Sequence, residues 1–329
     1  MRRHRPEQPR LLFVMDPIER IHVAKDSTFA MLLEVQRRGW PAWACGLEGL
    51  YLTDGVPRAQ VRSLRVFDDP THWFEAGEME DLALAEFDVI FMRKDPPFDS
   101  EYLYATLLLD LAQVQGALVV NDPQALRDCN EKLCTAWFPQ CCVPTLVTRD
   151  VSRLLSFVRS QGAVVVKPLD TMGGESVFRI QDGDPNTNVI LETVTRHGTR
   201  TIMAQRFIPE VSQGDKRILL IEGRPVPYAL ARIPPAGEAR ANLAVGGEGR
   251  GVALSERDRW ICAQVGPELR RRGLVFVGLD VIGDWLTEIN VTSPTCIREL
   301  DRIYHLNIAS QIMDAVIQRL RARAQGGDP

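Results

Sequence analysis

The stretch "GLDVIGDWLTEINVTSPT", residues 278–295, holds two apolar runs around Gly283 and Asp284, with three oxygen donors inside them. Asp280 lies in the first run; Glu288 and Asn290 lie in the second. Side chains on a strand alternate with period two, so Glu288 and Asn290 share a face. Asp280 joins that face only if the connecting loop has an odd number of residues or the hairpin carries a bulge. A regular two-residue loop pairs it with Thr287 instead. Given that register, two carboxylates and an amide converge without His or Cys. Such a set suits a hard cation such as Mg²⁺, which takes its other ligands from phosphates and water. The alternative is an amphipathic strand whose polar side faces water.

Cationic neighbours on strands and strand ends weigh against that alternative: Lys132, Lys167, Arg217, Arg232 and Arg240. In "VVVKPLDTMGGESVF", residues 164–178, a buried strand runs into Lys167 and then into a loop with Met172, Gly173 and Gly174. One reading is an ordinary hairpin turn, where glycine takes positive φ at little cost. The other is a loop laid over phosphates, with backbone N–H groups and a lysine supplying positive charge. Lysines and amides for phosphates, and an acidic hairpin for metal, are the two partners a Mg-nucleotide requires. "MAQRFIP", 203–209, adds a strand whose backbone can read an adenine edge, although core packing explains "FIP" equally well.

The first third alternates element types. "LLFVMD", "DVIFMRKDPPFD" and "ALVVND" read as strands. "STFAMLLEVQRRG", with Ser27 as N-cap, and "YLYATLLLDLAQVQG" read as helices. That alternation implies a parallel sheet with ligand groups at strand carboxyl ends, where Asp16, Arg93 and Lys94 fall. Arg93 is placed to clamp a substrate carboxylate with its planar fork. Beyond residue 138 the strands follow one another mostly without intervening helices, which predicts antiparallel sheets. "EGRP", 222–225, reads as a tight hairpin turn, and "IASQIMDAVIQRLRARA" as an amphipathic C-terminal helix. The glycine-rich run "PPAGEARANLAVGGEGRG", 234–251, reads as a long mobile loop centred on Arg240 and Asn242.

Composition sets the context. The 329 residues exceed one average core, and 45% hydrophobic with 25% charged residues is a globular balance. A net charge of −4 argues against a dedicated nucleic-acid binder. Seven cysteines with no CxxC pair point to a reduced, cytoplasmic protein. "LLFVM" is too short for a signal-peptide core, and no stretch approaches a membrane span. Residues 1–10 read as a disordered basic tail.

The blocks "NEKLCTAWF", "KPLDTMGG", "AQRFIP", "GDKRILLIEGRPVPYALARIP" and "GLDVIGDWLTEINVTSPTCIRE", with "MDP" and "MRKDPPFD", closely resemble bacterial glutathione synthetases of the ATP-grasp superfamily. The resemblance runs from about Leu11 to the C-terminal helix. It implies an ATP-grasp fold, mixing α/β and α+β: an N-terminal parallel α/β substrate domain (11–129), a central lid domain (130–208) and a C-terminal domain (209–329), the last two sandwiching ATP. It further implies that Lys132 and Lys167 contact ATP phosphates under the loop at Met172, Gly173 and Gly174. Gln205, Arg206, Phe207 and Ile208 would line the adenine pocket, and Asp215 would add to the nucleotide site. Asp280, Glu288 and Asn290 would bind two Mg²⁺, with Mn²⁺ as an alternative. Arg217 and Arg232 would stand near the transferring phosphate, and Arg240 and Asn242 would contact substrate from the mobile loop. Asp16, Arg93, Ser293, Pro294 and Thr295 would serve the acceptor. Thr171 and Glu175 depart from the family pattern, implying a stiffer and more acidic lid. A homo-oligomer, a tetramer, is implied as well.

The implied reaction joins γ-glutamylcysteine and glycine. A carboxylate of the dipeptide attacks the γ-phosphate of ATP, and glycine's amine then attacks the acyl phosphate, giving glutathione, ADP and phosphate. Two anions must meet, so charge neutralisation is the dominant catalytic term and no cysteine nucleophile is needed. Cys129 and Cys296 read as small packed residues. Two other functions remain open at this stage: a different ATP-grasp carboxylate–amine ligase, and a non-catalytic ATP-binding protein of the same fold.

Overall fold

The computed structural model describes residues 8–233 and 248–325. The predictions for residues 1–7, for Arg240 and Asn242, and for the end of the chain beyond 325 therefore lie outside the described residues. Three sheets organise the rest.

The first sheet contains β1 (Leu11–Val14), β2 (Ala42–Cys45), β3 (Leu50–Thr53), β4 (Val56–Val66), β5 (Phe74–Ala83), β6 (Val89–Met92) and β7 (Leu118–Val120). Helices α1 (Ser27–Arg37), α2 (Ser100–Val114) and α3 (Pro123–Asp128) belong to this region. β2, β1, β6 and β7 run parallel, as the alternation predicts. Every residue of β1 is buried, because helices cover both faces. Leu12 and Val14 pack with Tyr102 and Leu109 of α2. Leu11 and Phe13 pack with Phe29 and Leu32 of α1 on the other side. The parallel sheet is only part of this region: β3, β4 and β5 extend it as antiparallel hairpins.

Two local details correct the sequence reading. The N-cap of α1 is Asp26, whose carboxylate accepts the Phe29 N–H at 2.6 Å; Ser27 is the first helical residue. Arg10, read as part of the tail, is held by stacking over Trp43 at 4.8 Å and by its N–H on Asp88 at 2.9 Å.

The second sheet contains β8 (Thr145–Thr148), β9 (Ala163–Pro168), β10 (Phe178–Gln181) and β11 (Ile202–Arg206), all antiparallel. Helices α4 (Val151–Gln161) and α5 (Thr187–Val194) interrupt its strands, contrary to the reading of strands mostly without helices. The missed signal was local. Asp150 caps α4 by accepting from Ser152 and Arg153, Leu154 and Val158 are its buried i, i+4 pair, and Gly162 closes it. These residues form a core with Val164, Val166 and Ile180 that belongs to this sheet alone.

The third sheet contains β12 (Asp215–Ile221), β13 (Arg224–Ile233), β14 (Glu248–Ala253), β15 (Phe276–Ile282) and β16 (Trp285–Asn290), in the order β14-β13-β12-β15-β16. Helix α6 (Glu256–Arg271) packs its Ile261, Val265 and Leu269 with Leu279 and Ile289 on one face. The C-terminal helices are α7 (Ile297–Tyr304) and α8 (Ile308–Ala324), the latter as predicted. The tight turn expected at 222–225 is confined to Glu222 and Gly223, with φ of 52° and 71°; Arg224 and Pro225 already belong to β13. The predicted loop ends early: Gly249, Arg250 and Gly251 pair with Arg232, Ala231 and Leu230. A backbone ladder needs no apolar side chains. At Gly251 it needs none at all, since a Cβ would meet the Tyr304 ring at 2.6 Å.

Two buried side chains join the first sheet to the third. Asn121, just past β7, donates to Phe276 O (2.8 Å) and Val291 O (2.7 Å) and accepts from Phe276 N (3.0 Å). Arg93, just past β6, is 5% exposed. It donates to the Thr28 hydroxyl at 3.1 Å, Thr292 O at 3.4 Å and Pro294 O at 3.1 Å. Arg93→Ala should therefore destabilise the fold by roughly 2–4 kcal/mol, because those carbonyls lose their donors inside the protein. Urea denaturation would measure this; a midpoint equal to wild type contradicts the role.

Candidate active site

The acidic hairpin has the two-residue loop that would misplace Asp280, and a bulge that corrects it. Ile282 pairs with Trp285 and Val281 with Leu286, but Asp280 then pairs with Glu288. Thr287 is the extra residue, and its hydroxyl donates to Asp280 O at 3.1 Å. Across β15, Asp280 pairs with Arg217, and Asp215 pairs with Arg232. Period two therefore gathers Asp215, Arg217, Arg232, Asp280, Glu288 and Asn290 on the face opposite the α6 core. Gly278 lies on the same face beneath Arg217; a Cβ there would meet the arginine Cδ at 2.9 Å and the Pro294 Cβ at 3.1 Å.

Charge on this face is densely compensated. Asp280 is 4% exposed. It accepts from Arg217 Nε at 2.5 Å and Nη2 at 3.0 Å, and it pairs with Arg232 Nη2 at 2.9 Å. Burial alone would raise its pKa, but the two guanidiniums hold it well below the usual carboxylate range. Asp215 responds differently: burial pushes it up to about 6 despite Arg232 at 2.5 Å. One Asp215 oxygen and Arg232 Nε are buried without a hydrogen-bond partner.

The second sheet supplies the opposite wall. Lys167, on β9, donates to Thr287 O at 3.4 Å and stands 3.5 Å from Glu288 Oε1. Lys132 sits in a turn before a short 3₁₀ segment, neither on a strand nor at a strand end as expected. Its ammonium donates to the Glu131 carboxylate and, at 2.6 Å, to Thr171 O; Glu288 Oε1 is 3.9 Å away. In the glycine loop, Gly173 and Gly174 take φ of 68° and 78°, and the Thr171 hydroxyl donates to Glu175 O at 3.1 Å. Thus one departure from the family pattern cross-links the loop that contains the other.

One cleft of about 240 Å³ lies between the two sheets. Lys132, Lys167, Met172, Gly173, Gly174, Gln205, Arg206, Phe207, Ile208 and Asp215 line it, together with Arg217, Arg232, Asp280, Glu288 and Asn290. Two charged residues not singled out in the sequence line it too. Glu131 was legible only as the acid beside Lys132. Arg179 stacks its guanidinium 4.0 Å from the Phe207 ring centroid.

The acceptor-side residues do not line this cleft. Asp16 pairs with Lys94 at 2.9 Å and accepts the Asp95 N–H. The Pro294 carbonyl is taken by Arg93, and Ser293 and Thr295 flank it. This corrects the placement of Arg93: its fork binds backbone carbonyls of the third region and is not open to a substrate carboxylate. The strand-end position was right; burial under residues 292–294 is what sequence could not supply.

The donor set fits a hard divalent ion. Among the described residues no three His, Cys, Asp or Glu side chains form a group that could hold a metal ion, so a set built on Asp280 and Glu288 would need the Asn290 amide as its third protein oxygen. An oxygen-only set of this size leaves ligand positions for phosphate and water. All seven cysteines are free, and burial raises the thiols of Cys134, Cys262 and Cys296, which leaves them inert. No helix among the described residues is long and apolar enough to cross a membrane.

Comparison with known proteins agrees with this geometry. The family profile "prokaryotic glutathione synthetase, N-terminal domain" matches residues 10–127, and "prokaryotic glutathione synthetase, ATP-grasp domain" matches residues 131–305. The chain is 58% identical over 314 residues to the glutathione synthetase of Pseudomonas putida, covering 95% of this chain and 99% of that one. It is 59% identical over 306 residues to that of Xanthomonas axonopodis pv. citri, covering 93% and 97%. Among solved structures, the D-cycloserine synthetase DcsG superposes with a TM-score of 0.66 at 16% identity, covering 94% of this chain and 99% of that one. The ATP-grasp ligase PsnB complexed with precursor peptide and AMPPNP gives 0.62 at 13% identity, covering 95% and 98%. These last two share the fold alone. By the two matched profiles and by identity over nearly its whole length, this protein belongs to the prokaryotic glutathione synthetases, with an ATP-grasp fold.

Proposed function

We propose that this cleft forms glutathione from γ-glutamylcysteine and glycine at the expense of ATP, through an acyl phosphate. The observation that carries the reading is the Thr287 bulge. It sets Asp280 opposite Glu288 on a face with two arginines, across the cleft from two lysines. Lys132, Lys167 and the amides of Gly173 and Gly174 hold phosphates, and Gln205, Arg206, Phe207 and Ile208 hold the adenine. Asp215 completes the nucleotide site. Arg217 and Arg232 face the transferring phosphoryl group and steady the carboxylate that receives it. Asp280, Glu288 and Asn290 would hold two Mg²⁺, or Mn²⁺, whose charge neutralises the phosphates as the two anions meet. Asp16 and residues 293–295 border the acceptor side. Arg93 supports the acceptor side by holding the 292–294 backbone.

The decisive experiment measures ADP release with γ-glutamylcysteine and glycine each omitted in turn. Full turnover is expected only with both. ADP release with another carboxylate and amine pair, or none with any, would favour a different ligase or a non-catalytic ATP-binding protein.

Lys167→Met should weaken ATP binding at least tenfold while shifting the unfolding midpoint of the free protein little. Its side chain is 8% exposed, and Glu288, itself 24% exposed, keeps Lys132 at 3.9 Å, so removing the lysine strands no fully buried charge. Unchanged ATP affinity by calorimetry would refute the assignment.

The protein acts as a cytoplasmic homo-oligomer, a tetramer. Support comes from α2, where Tyr104, Leu107, Leu111 and Val114 are 55%, 47%, 38% and 85% exposed at helical spacing, forming an apolar stripe. Leu107→Glu with Leu111→Glu should lower the sedimenting mass while the helix content persists; an unchanged mass would exclude this face.

A further inference from the structure

Residues 130–132 form a turn anchored in three directions. The Asn130 side-chain oxygen accepts the N–H groups of Lys132 (3.1 Å) and Leu133 (3.0 Å), and its amide donates to Leu169 O at 2.9 Å. The Glu131 carbonyl accepts the Ile289 N–H at 2.8 Å, one residue from Glu288 on β16. Lys132 reaches the glycine loop at Thr171 O. The turn thereby sets the spacing between that loop and the strand bearing Glu288 and Asn290.

An ammonium has three donors. On Lys132 one goes to the Thr171 carbonyl and one to the Glu131 carboxylate, which leaves one for the cleft. The next carboxylate is Glu288, whose oxygen lies 3.9 Å from Lys132 and 3.5 Å from Lys167. The Glu131 side chain is 18% exposed, and it lines both the nucleotide cleft and an adjoining cavity of about 110 Å³.

We propose that Glu131 is a positioning residue for the nucleotide. With the Thr171 carbonyl it holds the Lys132 ammonium so that its remaining donor serves a phosphate and the lysine does not swing onto Glu288. The inference rests on reading Lys132 as a phosphate ligand. A carboxylate beside a phosphate-binding lysine would otherwise be a liability, because it opposes the incoming charge. Its value here is geometric: it fixes a flexible four-carbon side chain and keeps Glu288 available for metal.

The test uses full-length Glu131→Gln, which keeps the shape and removes the charge. Calorimetric titration with ATP in EDTA, where no metal contributes, should show about tenfold weaker binding, comparable to one charge-assisted hydrogen bond. In steady state the KM for Mg-ATP should rise by a similar factor, with the KM values of γ-glutamylcysteine and glycine within about twofold. Glu131→Asp, which keeps the charge, should restore much of the affinity, and it serves as the probe if the glutamine variant fails to fold. Unchanged or tighter ATP binding in a folded variant overturns the proposal, as does a fall in stability without a change in affinity. Lys132→Met is the control. If it binds ATP as wild type does, the reading of Lys132 fails. If it weakens binding and Glu131→Gln does not, only the role of Glu131 fails.

Discussion

Glu288→Gln is expected to lower turnover by at least two orders of magnitude, the range found when one preorganised electrostatic stabiliser is lost. Of the two hairpin carboxylates that line the cleft, Asp280 is paired with arginines and Glu288 is not. Its nearest cations are Lys167 at 3.5 Å and Lys132 at 3.9 Å, both facing the cleft. An amide in its place keeps the hydrogen-bonding shape but removes the charge that, in the proposed site, would offset a divalent ion, and it leaves the two lysines facing a neutral group. The fold should tolerate this, since the side chain is 24% exposed and the Ile289 backbone remains on Glu131 O. The measurement is kcat at saturating Mg-ATP with the unfolding midpoint alongside. A variant within tenfold of wild type would remove Glu288 from the metal site.

Asp280→Asn should cost both activity and the fold. Here the carboxylate is buried and serves as counter-ion to Arg217 and Arg232, whose side chains are 7% and 6% exposed. Replacing it strands two desolvated guanidiniums; breaking a buried pair in this way costs about 3–5 kcal/mol. Asp215 offsets part of this, because it also pairs with Arg232. Chemical denaturation should therefore show a loss of several kcal/mol for Asp280→Asn and little for Glu288→Gln, although the two residues face each other across one ladder. Equal stabilities would mean that the arginine pairs contribute nothing to the fold and that Asp280 belongs to the metal alone.

Much of this contrast is hidden in the sequence for a definable reason. Alternation along 278–295 identifies which residues can share a face, because strand geometry alone sets the period of two. It says nothing about the partner strand. A two-residue loop at Gly283 and Asp284 would have put Thr287 opposite Asp280; the bulge that advances Glu288 instead is a property of the paired ladder. Arg93 illustrates the same limit. Its place after the buried strand β6 was readable, whereas its burial against Thr292 and Pro294 depends on a contact spanning two hundred residues of chain. Helix α4 is a different case: Asp150, the Leu154 and Val158 pair, and Gly162 were all present, but strong flanking strand signals masked them. Glu131 had no local signature at all, because an acid beside a lysine is ordinary until the lysine is seen to point into a cleft.

The sequence alone determined the order and type of most elements. It also identified the continuous apolar run that buries β1 from both sides, and the oxygen, lysine and arginine sets that meet in the cleft. Those features depend on backbone geometry and on residue chemistry over short spans. Only the tertiary structure decided which carboxylate is committed to arginines and which remains open, how the Lys132 ammonium is held, and that Arg93 braces the fold. Each depends on register and burial between strands far apart in the chain, where a shift of one residue exchanges buried and exposed partners and so changes the charge each group must meet.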